Sequence, residues 1–274
     1  MRVISAHKII DTVAGLCLKA NLELRPDVLA ALKAAYRRET ALRAKSILKA
    51  VIDNAARARK EKLAVCQDTG LPCLYIEIGN DAHIAGDLNR AVQKGIDLGY
   101  RKGYFRNSVV KDPLKRTASG YAPGILHVDV VKGSKVKISV LPKGFGCENK
   151  TQLKMFDPTA NAGAIEQFIV DAVKAAGPDA CPPYVIGVGI GGTSDHACLL
   201  AKKALLRKID NRRSSRFEKK VLAHINKLNI GPMGLGGRST ALAVRIAAYP
   251  THIAGLPVCV NISCHATRSA TATI

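Results

Sequence analysis

The stretch Tyr184-Val185-Ile186-Gly187-Val188-Gly189-Ile190-Gly191-Gly192-Thr193-Ser194 carries the reading of the fold. Its first part, through Val188, is an unbroken apolar run, which predicts a buried strand. The run opens into a glycine turn, and the residues from Asp195 to about Arg207 then read as a helix. Upstream, Ile165, Phe168, Ile169, Ala172, Val173 and Ala176 recur at helical spacing until Gly177-Pro178 stops them. Downstream, Val221, Leu222, Ile225 and Leu228 predict a further helix. Gly231–Gly237 must be loop, and Leu256–Ser263 reads as a last strand.

The first 60 residues are helical in pattern. Ile9, Ile10, Val13, Leu16, Cys17 and Ala20 share one face, Pro26 suits a first helical turn, and Leu42, Ile47, Leu48, Val51 and Ile52 follow. After Lys62 the character changes. Leu74, Ile76 and Ile78 alternate with Tyr75 and Glu77 as in a strand. Ile125–Val131 and Val136–Leu141 alternate as well, and Lys132-Gly133-Ser134-Lys135 between them predicts a hairpin. There is no repeat, no Ser/Gly linker and no regular βαβ alternation. The expectation is one compact mixed α/β (α+β) domain over 1–274, helical at first and then mixed.

Of the 274 residues 47% are hydrophobic and 23% charged, a globular balance that rules out a disordered chain. No run approaches the roughly 20 apolar residues of a membrane helix. The N-terminal segment lacks the apolar core of a signal peptide, so a cytoplasmic protein is expected. Lys and Arg exceed Asp and Glu by 42 to 21, a net charge of +21 that needs an anionic partner or counter-ions. Arg37–Lys62 holds nine basic residues against three acidic, and Lys202–Lys220 nine against two. The plain reading is solvated helix faces. With aromatics at 4%, any nucleic-acid binding there would run through phosphates and not base stacking.

Three motifs invite chemistry. Gly187-Val188-Gly189-Ile190-Gly191-Gly192 matches GxGxxG between strand and helix. The acidic strand end that a dinucleotide site requires is replaced by the basic Lys208–Arg213 segment. Asp68-Thr69-Gly70 matches the aspartic-protease triplet, but such a site needs two copies and there is one. Eight cysteines (17, 66, 73, 147, 181, 198, 259, 264) contain no CxxC pair and are too dilute for a disulfide scaffold. Most read as small buried apolar residues. Cys66, Cys181 and Cys264 differ, lying in turn-like or strand-end contexts among polar neighbours. Three such thiolates can hold a four-iron cluster with one iron open as a Lewis acid, although spacing alone does not establish it.

Five segments in order carry a resemblance. They are Cys66-Gln67-Asp68-Thr69-Gly70, Gly144-Phe145-Gly146-Cys147-Glu148-Asn149-Lys150, Ala180-Cys181-Pro182-Pro183-Tyr184, Gly189-Ile190-Gly191-Gly192-Thr193 and Ser263-Cys264-His265-Ala266. From about residue 5 onward the chain resembles the α part of the class I (iron–sulfur) fumarate hydratases and L-tartrate dehydratases. The resemblance implies that Cys66, Cys181 and Cys264 ligate a [4Fe-4S] cluster. It further implies that Gln67 and Asp68 line the substrate pocket and that Arg106 holds a substrate carboxylate, which suits a guanidinium fork. His252 matches the family's active-site histidine, and Gly146 and Asn149 its substrate loop. Cys147 stands where a small residue such as Ser is expected.

By the same resemblance the chain is an α subunit that reversibly hydrates a C4 dicarboxylate, with fumarate/malate first and L-tartrate second. The remaining substrate groups belong to a β part whose motifs this sequence lacks, so turnover is expected only with a β subunit, in a higher oligomer. The proton on a carbon α to a carboxylate is weakly acidic, and chelation of the substrate by the open iron would stabilise the developing charge. Asp68 and His252 are the candidate acid–base groups. From a different class, a basic nucleic-acid-binding protein remains the alternative.

Overall fold

The computed structural model describes residues 2–274. The elements run β1 (Arg2–Ser5), α1 (Ala6–Leu22), α2 (Pro26–Arg38), α3 (Leu42–Glu61), β2 (Leu71–Gly79), β3 (Ala82–Ala85) and α4 (Leu88–Lys102). Next come β4 (Val109–Val110), β5 (Ser119–Gly120), β6 (Ile125–Val131), β7 (Val136–Lys143), α5 (Phe145–Glu148), β8 (Gln152–Phe156) and α6 (Ala162–Ala176). The chain ends with β9 (Tyr184–Gly192), α7 (Ser194–Ala204), α8 (Arg216–Lys227), β10 (Ala241–Thr251), β11 (Leu256–Ser263) and β12 (Ala270–Thr273). The mixed α/β class expected from the sequence is the one observed. Among the described residues no helix is long and apolar enough to cross a membrane.

The domain resolves into two compact units, each assembled from segments remote in sequence. The first comprises the described residues of Met1–Arg25 with Ala55–Phe145 and Arg268–Ile274; the second comprises Pro26–Asn54 and Gly146–Thr267. Interleaving of this kind leaves no linker to read in the sequence.

In the first unit the sheet order is β12-β7-β2-β6. Ile9, Val13, Leu16 and Cys17 of α1 and Val92, Ile96 and Tyr100 of α4 bury against Leu74, Ile76, Ile138 and Val140. Ser5 caps α1 by accepting from the Lys8 N–H at 3.2 Å. The expected hairpin of β6 and β7 does not form. β2 lies between them, parallel to β6 and antiparallel to β7. The reason is burial: β2 hides side chains on both faces, whereas β6 is largely exposed and takes the edge. The Lys132–Lys135 turn instead passes over the end of β2, where the N–H groups of Gly79 and of Asn80 just after it donate to the Lys135 and Val131 carbonyls at 2.9 and 2.8 Å.

In the second unit the sheet order is β10-β9-β11-β8. Ile186 and Val188 of β9 join Val258, Val260 and Ile262 of β11 beneath Ile165, Ile169 and Val173 of α6 and Val221 and Ile225 of α8. Side chains alternate along a strand, so Gly187 and Gly189 face the opposite way, toward α7. There α7 presents Ala197 and Ala201 and approaches so closely that a Cβ at Gly187 would stand 2.1 Å from the Ala201 carbonyl oxygen. Helix–strand proximity accounts for the first two glycines of the GxGxxG pattern without a nucleotide.

Glu218 of α8 ties that helix to β10. Its carboxylate accepts from the Ile246 and Ser215 N–H groups at 2.8 Å each and pairs with Arg207 at 3.0 Å. Burial by itself would raise its pKa. The backbone donors and the guanidiniums of Arg207 and Arg245 outweigh that and hold it below the ordinary 4.5. A carboxyl depressed by folding stabilises above its unfolded pKa, and the contribution fades as pH falls through the folded value. Glu218→Gln is therefore expected to lower stability at pH 7 by about 1–3 kcal/mol. Urea titrations at pH 7 and pH 4 check it, because the gap between variant and wild type must narrow on the acid side.

Candidate functional site

In the first unit the Cys66–Gly70 loop joins α3 to β2 and is held from three directions. The Tyr100 hydroxyl, buried under the sheet, donates to the carbonyls of Thr69 and Gly70 at 2.8 and 3.2 Å. The Arg106 N–H donates to Thr69 Oγ1 at 3.2 Å, and the Arg268 guanidinium donates to the Asp68 carbonyl. The Asp68 carboxylate bridges the loop to the end of the sheet, Oδ1 accepting from the Gly70 N–H at 2.9 Å and Oδ2 from the Phe145 N–H at 2.8 Å. Each oxygen keeps a second lone pair for a further donor.

Asp68 and Arg106 line one cavity of about 550 Å³, with Asn107, Ser108, Phe145 and Arg116 in its wall. The sequence-based reading named the first two and missed Arg116. The signal that could have found it is Asp112-Pro113, a turn former. Asp112 Oδ1 accepts from the Leu114 and Lys115 N–H groups at 2.8 and 2.9 Å, and the turn brings Arg116 back to the cavity. Gln67 stands outside the lining, and its Oε1 accepts from the half-exposed Cys66 thiol at 3.3 Å.

In the second unit Cys181 and Cys264, 83 positions apart in sequence, are brought together through their backbones. The Cys181 carbonyl accepts from the His265 N–H at 3.2 Å, with His265 Nδ1 also at 3.2 Å. The Cys264 carbonyl accepts from the Thr267 N–H at 3.0 Å and its hydroxyl at 2.7 Å. Cys181 is exposed and sits at φ +57°, a left-handed conformation that side-chain-bearing residues seldom adopt. Cys264 is half-exposed at the end of β11.

Four of the other five cysteines separate from these by burial. Cys17, Cys73, Cys147 and Cys259 are buried. Burial pushes the Cys17 thiol up to about 12 and raises Cys259 as well, so both are poor thiolates. Cys198, on α7 beside Cys259, is half-exposed as Cys66 and Cys264 are, and differs from them in lying outside the five ordered motifs. Cys147 points inward and donates to the Ala180 carbonyl at 3.4 Å, which makes it a brace for the Cys181 segment. Lys150 adds a second tie to that segment through Asp179 at 2.8 Å. Glu148 pairs with Lys202 and accepts from Asn261 Nδ2 at 3.0 Å, anchoring the loop whose Gly146 and Asn149 stay exposed.

His252 follows β10 on an exposed loop. Its Nδ1 accepts from the Ala254 N–H at 3.2 Å, so in the neutral ring the proton resides on Nε2 and that nitrogen is the outward donor. Thr251 Oγ1 donates to the Gly192 carbonyl at 2.9 Å, and a Cβ at Gly191 would stand 2.0 Å from the Tyr249 carbonyl oxygen. The glycines that the sequence predicts as a turn are thus the last residues of β9, close enough to β10 to pair with it and seat the segment that carries His252.

Among the described residues no three His, Cys, Asp or Glu side chains are grouped closely enough to hold a metal ion. Within the second unit Cys181 and Cys264 are accessible soft thiols on adjoining backbones, of the kind that iron–sulfur groups take as ligands; within the first unit Cys66 is an accessible thiol.

The family described as Fumarate hydratase (Fumerase) matches residues 10–273. A protein of Methanocaldococcus jannaschii that carries the name L(+)-tartrate dehydratase subunit alpha provisionally is 38% identical over 274 residues, covering 96% of each chain. The L(+)-tartrate dehydratase subunit alpha of Escherichia coli strain UTI89 is 27% identical, covering 97% of this chain and 91% of the relative. That of strain K12 is 26% identical with the same coverage.

Proposed function

Because the chain belongs to the fumarate hydratase (Fumerase) family, we propose that it works as the alpha subunit of an iron–sulfur hydro-lyase acting on a C4 dicarboxylate. The observation that carries the reading is the backbone junction of Cys181 and Cys264 in the second unit, with the strained φ at Cys181. On this reading Cys181, Cys264 and Cys66 hold a [4Fe-4S] cluster, an assignment that rests on the five ordered motifs. The bound cluster supplies Lewis acidity toward the substrate's oxygens.

The chain's own groups do the rest of its share. Arg106 offers a guanidinium fork to one substrate carboxylate from the cavity wall. Asp68, fixed by two backbone donors, presents a carboxylate in the same cavity. With its proton on Nε2, the neutral His252 ring can take a second proton on Nδ1 when the Ala254 contact opens, and the resulting imidazolium can give one back. Gly146 and Asn149 offer a backbone N–H and an amide on an anchored loop. A beta subunit, implied by the name the relatives share, completes the substrate site. Fumarate/malate is the first substrate pair to assay. L(+)-tartrate is the second, and it is favoured by the relatives' names.

The test is iron and acid-labile sulfide on anaerobically reconstituted chain, followed by assay of both substrates with the beta subunit. About four iron and four sulfide per chain is the expected result. Absence of iron after reconstitution would overturn the hydro-lyase reading.

A further inference from the structure

The two basic segments that stand out in the sequence leave most of the net charge unused by a small dicarboxylate. Within the second unit the structure brings one end of each together. Arg38, the last residue of α2, and Lys219 of α8 line a cavity of about 330 Å³ with Arg238 from the loop before β10. No carboxylate lines it. The neighbouring Glu39 is turned inward, accepting from the backbone N–H groups of Thr40, Ala41 and Arg238 at 2.9, 3.1 and 2.8 Å.

Elsewhere many exposed cations of this chain meet an acid, as in Lys49–Asp53, Arg101–Asp97 and Lys220–Glu166. Among the described residues Arg38, Lys219 and Arg238 form no ion pair, and Lys219 Nζ reaches a neutral acceptor, the Arg212 carbonyl, at 3.5 Å. Three like charges around one depression repel one another unless an anion sits between them. A neutral amide of fixed orientation also lines the cavity. Asn226 Oδ1 accepts from the Thr240 and Ala241 N–H groups at 2.9 Å each, which fixes the amide plane and leaves Nδ2 on the other side. Asn226 is half-buried in the cavity wall.

Cations from three separate segments and a fixed amide match an anion with acceptor oxygens in several directions. A tetrahedral phosphate has that form; a planar carboxylate does not. The geometry points to an anion site that takes a phosphate group, carried by a small phosphorylated molecule or by a nucleic-acid backbone. The site shares no lining residue with the Arg106 cavity and includes no cysteine, so its charge chemistry does not call on the cluster.

The experiment is calorimetric titration of the full chain with pyrophosphate at low ionic strength. One saturable site is expected. Affinity should fall about tenfold or more in Arg38→Gln/Arg238→Gln, as loss of two charge-assisted contacts requires. It should fall as far in Asn226→Asp, which keeps the backbone acceptor and replaces the donor with a negative charge. Lys8→Gln/Arg90→Gln removes the same net charge from exposed positions of the first unit and should bind within twofold of wild type. Succinate should bind at least tenfold more weakly than pyrophosphate. An oligonucleotide without terminal phosphate separates the two sources: competition with pyrophosphate assigns the site to a nucleic-acid backbone, and independence from it assigns the site to a small molecule. Lack of saturable pyrophosphate binding, equal loss in the control variant, or equal binding of succinate overturns the proposal.

Discussion

Cys181→Ser is expected to leave the chain folded, strip it of iron, and lower dicarboxylate turnover with the beta subunit by well over a hundredfold. Even changes outside the ligand sphere of a metal site cost about 10–100-fold, and loss of a ligand costs more. The fold should survive because the Cys181 side chain is exposed and serine keeps the backbone bonds of this segment: its N–H donates to Pro178 and its carbonyl accepts from His265. Serine keeps that backbone and removes the soft sulfur. The controls are Cys73→Ala and Cys147→Ser, whose thiols are buried. Cys147→Ser should keep its iron, because its sulfur is directed at the Ala180 carbonyl. Circular dichroism with iron analysis decides the matter. Iron retained in Cys181→Ser, or lost equally in Cys147→Ser, would reassign the ligands.

Gly189→Ala is expected to unfold the second unit under conditions where the wild type is stable. A Cβ there would stand 2.0 Å from the Ala197 carbonyl oxygen and 2.7 Å from the Ala201 nitrogen, both backbone atoms of α7. No rotamer change relieves such a contact, so α7 must move off the sheet. Overpacking in a formed core typically costs about 1–3 kcal/mol and more when backbone is displaced, so a loss at or above about 3 kcal/mol is the expectation. Gly15→Ala in α1 is the matched control. Its added methyl meets nothing within 4 Å, and helix propensity favours alanine by about 1 kcal/mol. A urea midpoint for Gly189→Ala within error of wild type would mean that α7 packs elsewhere in solution.

The helices were largely legible. α1, α6 and α8 carry apolar residues at i, i+3 and i+4, and the buried positions of each agree with the periodicity. The strong alternation of β2, β6 and β7 marks them as strands, but the short turn between β6 and β7 points wrongly to a hairpin of those two. Alternation reports which faces are buried and says nothing about which strand lies beside which. β10, eleven residues long, escaped the reading altogether. Its buried first half and exposed second half present no single pattern, because it leaves the core as it runs toward His252.

At the candidate site the order of motifs singled out Cys66, Cys181 and Cys264, and the structure distinguishes them from the buried thiols by exposure. It could not single out Arg116, which reaches the Arg106 cavity through a turn. Nor could it show that Arg38, Lys219 and Arg238 share a depression.

Family, class and the identity of the candidate ligands are therefore properties of the sequence alone, because they depend on residue type and order along the chain. The division into two interleaved units, the placing of β2 between β6 and β7, and the junction of Cys181 with Cys264 belong to the tertiary structure. They follow from long-range burial and hydrogen bonding between segments that local periodicity cannot connect. The glycines of β9 show the division most plainly: the pattern is the same for a phosphate turn and for a tightly packed helix, and only the position of α7 decides which it serves.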